Sequence, residues 1–134
     1  MKTSALWTLA AALLSFSLSP WASAGDVYVI ANSGLTVGAD EVRDIFLGDK
    51  QVAGGTKLVP VDNAAVQKDF LDKVVKLDAA KYQGIWTKKG FRDGLTAPAV
   101  KSGDAEVIAV VKSTPGAVGY VSTKPAGVKV VEKY

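Results

Sequence analysis

The apolar and polar positions along the chain predict short strands alternating with short helices. Residues 27–30 form an unbroken apolar run, which is typical of a strand covered on both faces. Apolar residues then recur at helical spacing at Val42, Ile45 and Phe46, and Gly48 follows them as a C-terminal stop. This part of the pattern therefore predicts a buried strand followed by a short helix.

The rest of the pattern is organised around residues 56–77. Residues 58–61 predict a short strand, and the polar pair Asp62 and Asn63 predicts a turn directly after it. Apolar positions spaced by three and four over residues 66–77 predict an amphipathic helix. One residue of the polar pair is the expected N-cap of that helix.

The second half of the chain predicts two further helices and two further strands. A helix capped by Asp78 carries Tyr82, Ile85 and Trp86 on one face, which favours core packing of Trp86 over stacking on a ligand. The other predicted elements are a loop over residues 90–94, a helix starting near residue 104, a strand over 117–121 and an edge strand over 128–131. This order predicts an α/β fold with a small mixed sheet flanked by helices.

The N-terminal segment has the features of a secretory signal. Residues 1–24 combine one lysine, an apolar stretch and a small-residue ending at residues 22–24, so cleavage is expected before Gly25. A membrane anchor is the alternative, but Thr8, Ser15 and Pro20 interrupt the stretch, which falls short of the ~20 apolar residues a span needs. We therefore expect a periplasmic or secreted domain over residues 25–134, with no membrane span after cleavage.

The composition excludes several classes of function. The chain has 16 basic and 13 acidic residues, and its lysines are scattered among carboxylates, which gives no support for nucleic-acid binding. It has no cysteine and no histidine, so thiol nucleophiles, imidazole bases and most transition-metal sites are absent. We expect no enzyme activity, no cofactor and no bound metal.

The turn after the strand at residues 58–61 is the candidate ligand site. A strand that leads directly into a helix directs unpaired backbone N–H groups at one spot, where anions commonly bind. A plain connection between layers is the alternative interpretation. The Asp62 carboxylate also competes with an anion for the same N–H groups.

Several ordered segments carry a family resemblance. They are DVYVIANSGLT, EVRDIFLGDK, GGTKLVPVD, YQGIWTKKGF and STPGAVGYVS, with IFLG at residues 45–48 and PGAVGYV at 115–121 the most specific. Together they resemble the type 2 periplasmic solute-binding proteins of phosphate ABC transporters. The resemblance implies one lobe of a type 2 periplasmic-binding-protein-like fold, a small anion such as phosphate as ligand, and an ABC transporter or another periplasmic protein as partner.

The chain departs from the family at the binding turn. The family's turn resembles R-x-x-G-S-G-T, whereas residues 60–66 of this chain contain no arginine, serine or threonine. The resemblance leaves Asn63 and Ala64 as the nearest counterparts at the turn, beside Asp62, and adds Asn32 and Ser33 from the end of the first strand. Arg92 is a further candidate for meeting an anion, although an ion pair with Asp93 or a solvated charge is the common fate of such a residue.

Two functions follow from the sequence. The first is an exported domain that binds a small anion or another solute without catalysis. The second is a protein interaction module of the periplasm that has lost its ligand and that could associate with itself, because a lone lobe exposes a face that a second lobe would cover.

Overall fold

The computed structural model describes residues 25–134, and the expected signal peptide at residues 1–24 lies outside the described residues. Within that range, short elements follow one another as the apolar pattern predicts. The strands are β1 (Tyr28–Ala31), β2 (Val52–Ala53), β3 (Thr56–Lys57), β4 (Val59–Asn63), β5 (Ala99–Lys101), β6 (Ala117–Val121) and β7 (Lys129–Lys133). The helices are α1 (Val42–Phe46), α2 (Gln67–Phe70), α3 (Ala79–Asp93) and α4 (Asp104–Ser113), with a 3-10 turn at Ala39–Glu41 and a π-helical turn at Leu71–Val75.

Five of the strands form one mixed sheet in the order β5-β4-β6-β1-β7. Strand β4 runs parallel to both β5 and β6, whereas β1 runs antiparallel to β6 and β7. The carboxyl ends of β4, β5 and β6 therefore lie at one edge of the sheet, and the carboxyl end of β1 lies at the opposite edge. The α/β fold class with a small mixed sheet is confirmed.

Each face of the sheet is covered by helices. On one face, α1, α2 and α3 contribute Phe46, Phe70 and Trp86, and the Phe70 ring stacks on Tyr120 of β6 at 3.8 Å between centroids. On the other face, α4 packs Val107 and Val111 against β4 and β6. Trp86 is buried, as predicted, and its indole N–H donates to the Phe46 carbonyl at 3.0 Å.

The absence of a side chain at Gly119 lets helix α4 pack closely on β6. A Cβ atom at this position would lie 2.6 Å from Cγ1 of Val107. Such a distance is shorter than van der Waals contact, so the glycine permits the close approach of helix and strand.

The structure corrects three local predictions. Asp62 and Asn63 are the last residues of β4 instead of a turn, and α2 begins at Gln67 with Val66 at its N-cap, so the predicted cap is wrong. The predicted loop at residues 90–94 is also wrong, because α3 continues to Asp93 and ends at Gly94 in a left-handed conformation, φ 67°. Strand β5 and the β2–β3 hairpin have no counterpart among the predicted elements.

Within residues 25–134, none of the helices combines the length and the apolar character needed to cross a bilayer.

Candidate ligand-binding site

A buried carboxylate links three elements at the middle of the sheet. The Tyr82 hydroxyl donates to Oδ2 of Asp62 at 2.9 Å, and the Tyr120 hydroxyl donates to Oδ1 at 2.8 Å. Asp62 lies on β4, Tyr82 on the first turn of α3 and Tyr120 on β6. The two phenols satisfy one lone pair on each carboxylate oxygen.

The alternation of side chains along β4 explains the position of this carboxylate. Val61 faces α4 while Asp62 faces the α3 side, because neighbouring strand residues point to opposite faces. The Asp78 side chain accepts a hydrogen bond from the backbone N–H of Lys81, which fixes the start of α3. Tyr82 lies on the first turn of this helix, where its hydroxyl reaches Asp62. Local capping and strand alternation therefore place a carboxylate against a tyrosine.

Burial dominates the electrostatics of Asp62. Only 2% of the residue is exposed. Burial raises the pKa of the Asp62 carboxyl to about 6, although the hydrogen bonds from Tyr120 and Tyr82 oppose the shift. Burial and the nearby Asp62 charge raise the pKa of both phenols, so Tyr82 and Tyr120 stay protonated and act as donors.

An open cleft of about 420 Å³ lies over this carboxylate, between α3 and the β4–β5 edge of the sheet. We call it the Asp62 cleft. Its polar lining includes Gln67, Gln83 and Thr87, and its apolar lining includes Trp86 and Pro98. The volume lies in the range of small-molecule sites.

A second cleft, of about 400 Å³, lies on the other side of Trp86 and is mostly apolar. We call it the apolar cleft. Leu58, Pro60 and Leu95 line it, with Lys50 and Lys57 among the polar lining. Trp86, Ala97 and Pro98 line both clefts, so the two share one wall.

The edge of the sheet where a ligand would be expected is filled by the chain itself. The connection from β4 to β5 passes through α3 on one face, and the connection from β5 to β6 passes through α4 on the other, so the strand order switches between β4 and β6. Ligands of open α/β sheets commonly bind at such a switch point, outside the carboxyl ends of the strands. Here the Asp104 carboxylate accepts from Nδ2 of Asn63 at 2.8 Å, from the Ser122 N–H at 3.1 Å and from the Ser122 hydroxyl at 2.6 Å.

The pKa of the Asp104 carboxyl reflects these donors. Partial burial raises the pKa, but the hydrogen bonds from Ser122 and Asn63 outweigh burial and hold it below its ordinary value. Asp104 is therefore a carboxylate at neutral pH, held by donors of the kind that bind oxyanions.

The backbone N–H groups of the predicted binding turn are also satisfied internally. The Ala64 N–H donates to the Lys101 carbonyl at 2.8 Å, and the Ala65 N–H donates to Oδ1 of Asn63 at 3.0 Å. The Val66 N–H donates to the Asn63 carbonyl at 3.2 Å. None of these three groups remains for a ligand without rearrangement of the turn.

The predicted site residues fall in three places. Asp62, Asn63 and Ala64 lie together at the carboxyl end of β4. Asn32 and Ser33 follow β1 at the opposite edge, because the Asn32 N–H donates to the Ala117 carbonyl at the start of β6. Ala117 pairs with Val59 on the other side of β6, so Asn32 is level with Val59, four residues along β4 from Asn63, or roughly 13 Å by strand geometry. The Asn32 side chain donates to the Val111 carbonyl at 2.9 Å.

Arg92 is remote from the Asp62 carboxylate, which Tyr82 contacts. It lies ten positions beyond Tyr82 on α3, roughly 15 Å along the helix axis. Its side chain is largely exposed and forms an ion pair with Asp93 at 3.2 Å. Arg92 therefore forms the ion pair with Asp93 that is common for such a residue. Arg92 and Asp62 do not belong to one site.

Sequence reasoning missed four residues of the site, namely Tyr82 and Tyr120 as partners of Asp62, and Asp104 and Ser122 at the switch point. The helical spacing assigns Tyr82 to an apolar face, although a buried tyrosine hydroxyl usually finds a polar partner. That rule is the available signal for Tyr82 and Tyr120. For Asp104, the sequence indicates only the start of a helix.

In residues 25–134 no three potential ligands among His, Cys, Asp and Glu come together as a metal site.

Comparison with known proteins identifies the fold. No protein-family model and no curated protein sequence matches the chain. Among solved structures, a Clostridium perfringens protein assigned as a phosphate ABC transporter substrate-binding protein, with phosphate bound, superposes with a TM-score of 0.57 at 15% identity. An ABC-type phosphate transport receptor from Vibrio cholerae gives a TM-score of 0.51 at 14% identity.

These likenesses cover 81% of this chain but only 46% and 47% of the two neighbours. The chain therefore spans just under half the length of these structures, and it has the fold of that part. The fold implied by the sequence resemblance is confirmed.

Proposed function

We propose that this chain, which has the fold of about half of a phosphate-type binding protein, is an exported, non-catalytic domain that binds a small solute. The observation that carries the proposal is the Asp62 cleft, an open cavity of ligand size with a buried carboxylate among its lining residues. Binding sites for small molecules are commonly clefts of this size that carry a few placed polar groups.

The residues of the cleft support binding more than catalysis. Both oxygens of Asp62 accept hydrogen bonds from tyrosines, which holds the carboxylate in one position. The chain has no histidine or cysteine that could act with it as a base or nucleophile. Export is supported by the signal-like pattern of residues 1–24. An ABC transporter is the proposed class of partner, since both neighbours are described as components of phosphate ABC transport.

Calorimetric titration of the purified protein tests the proposal. The panel should contain phosphate, sulfate, amino acids, sugars and organic cations, so that the result does not depend on one guess of ligand charge. We expect at least one solute to bind and to shift the backbone NMR resonances of Gln83 and Thr87, which line the cleft. Heats equal to dilution for every solute would reject solute binding.

A protein interaction module is the second candidate, and the exposed apolar residues of α3 and β5 favour it. Phe91 is 91% exposed at the end of α3, and Val100 is 58% exposed on the edge strand β5. Exposed apolar surface marks an interaction site where it forms a contiguous patch. Light scattering between low and high protein concentration would detect self-association, and a Phe91→Ser variant should weaken it. A monomer at all concentrations would count against self-association.

A further inference from the structure

The charge of the Asp62 cleft indicates which solutes it accepts. Among the described residues that line it, Asp62 is the only acid, and no lysine or arginine is present. The remaining polar lining is neutral, from Gln67, Gln83 and Thr87. A phosphate or carboxylate ligand would therefore meet a negative charge without a compensating cation.

The Asp62 carboxylate lacks an ionic partner within the described part of the chain. Its hydrogen bonds come from two neutral phenols, and none of the ion pairs in residues 25–134 includes it. A buried charge is costly unless it is paired. A carboxylate has about four acceptor positions, and Tyr82 and Tyr120 occupy two of those on Asp62.

The walls of the cleft suit a cation. Tyr82 and Trp86 contribute only small exposed areas of their aromatic side chains to the lining, and Lys89 Nζ already lies 6.0 Å from the centroid of the Trp86 ring. The amide oxygens of Gln67 and Gln83 and the hydroxyl of Thr87 can accept hydrogen bonds from an ammonium group as well. The lining is therefore complementary to an organic cation through the charge of Asp62 and the neutral acceptor groups around it.

We propose that the Asp62 cleft binds a small organic cation, whose ammonium group is compensated by Asp62 and whose apolar part lies against Trp86 and Pro98. This inference rests on the proposed function, and it gives the ligand the charge opposite to that of phosphate. The donors that could hold an oxyanion, on Asn63 and Ser122, are already engaged by Asp104.

A purely structural role for Asp62 is the competing explanation. In that case the carboxylate only joins β4, α3 and β6 through its two tyrosines, and the cleft has no preference for charge. The two explanations differ in whether the charge of Asp62 acts on a solute, so the test compares solutes and variants that differ in charge alone.

The experiment is a calorimetric titration at pH 8, where Asp62 is ionised, because its pKa is about 6. The probes are choline, its uncharged isostere 3,3-dimethyl-1-butanol, putrescine and inorganic phosphate. We expect putrescine, whose ammonium groups have N–H donors, or choline, which supplies charge alone, to bind. The isostere and phosphate should bind at least about tenfold more weakly, since the attraction between opposite charges is lost or reversed.

Three variants locate the effect. Asp62→Asn should weaken cation binding by about 10- to 100-fold, the range for loss of a charge-assisted contact. Thr87→Lys should weaken it by about tenfold, because a tethered ammonium at the rim competes for Asp62 while the two tyrosine contacts remain. Asp93→Asn makes the same charge change on the exposed end of α3 and should leave binding unchanged.

The outcomes separate this inference from the proposed function. Binding of phosphate or a sugar without binding of either cation would overturn the cation preference and leave solute binding in place. Cation binding that Asp62→Asn and Thr87→Lys both leave unchanged would also overturn it. If Asp62→Asn does not fold, the Thr87→Lys result and the choline–isostere comparison decide.

Discussion

Asp62 is a single residue whose ionisation opposes folding. Its carboxyl has a pKa of about 6 in the folded chain because burial disfavours the charged form, against 3.8 in the absence of structure. The folded state therefore holds the proton more tightly than the unfolded state between these two values. Its stabilising effect is fully present below pH 4 and is lost as the pH rises through 6.

The first prediction follows from that linkage. Between pH 4 and pH 8, the free energy of unfolding of the natural chain should fall by about 2.5 kcal/mol relative to that of Asp62→Asn. Asparagine keeps the size of the side chain and cannot ionise, so the difference between the two proteins isolates this group. Urea unfolding at several pH values measures it, and parallel pH profiles for the two proteins would contradict the expectation.

Asp104 is the residue that fills the switch point, and its removal should expose the donors it holds. We expect Asp104→Ala to lower the free energy of unfolding by roughly 1–2 kcal/mol, because Asn63 and Ser122 lose an acceptor. Added sulfate should stabilise Asp104→Ala more than it stabilises the natural chain, because the donors on Asn63 and Ser122 are then free to bind the anion.

A matched control separates this effect from the general action of salt. Glu106→Ala removes the same charge from the same turn of α4, where Glu106 contacts Ser102 instead of Asn63 or Ser122. If sulfate stabilises both variants equally, the donors of Asn63 and Ser122 at the switch point do not form an anion site.

At the scale of the elements, replacing two glycines by alanine should change the free energy of unfolding in opposite directions. Gly84 lies within α3, and a Cβ atom added there would meet no neighbouring group within 4 Å, so Gly84→Ala should stabilise the chain by about 1 kcal/mol through helix propensity. Gly119→Ala should destabilise it by about 1–3 kcal/mol, because the new methyl collides with Val107. Thermal and urea unfolding of both variants test the pair.

The elements also show what a sequence can and cannot predict. Strands β1 and β6 and helix α4 follow from apolar runs and helical spacing, which are local signals. The extension of β4 through Asp62 and Asn63 does not follow in the same way, since their burial depends on Tyr82, Tyr120 and Asp104, which are distant in sequence. The end of α3 is misplaced by the sequence pattern because Gly90 suggests a loop, although helical glycines are tolerated at a modest cost.

At the scale of the whole molecule, one strand joins the two halves of the core. Strand β6 is buried along its whole length and contributes Tyr120 to one helical layer and Val121 to the other. We therefore expect unfolding to be a single cooperative transition, with coincident curves from near- and far-ultraviolet circular dichroism. Val107→Ala, on the α4 side, should shift both curves together; a shift in one curve alone would mean that the layers unfold separately.

The pair of phenols bound to Asp62 has a practical consequence for following events in the cleft. Any solute that draws on the carboxylate alters the environment of two tyrosine chromophores that are otherwise shielded from water. Binding in the cleft should therefore be measurable by tyrosine difference absorption without an added dye. Tyr82→Phe should reduce this absorption change by about half, because one of the two phenols is removed.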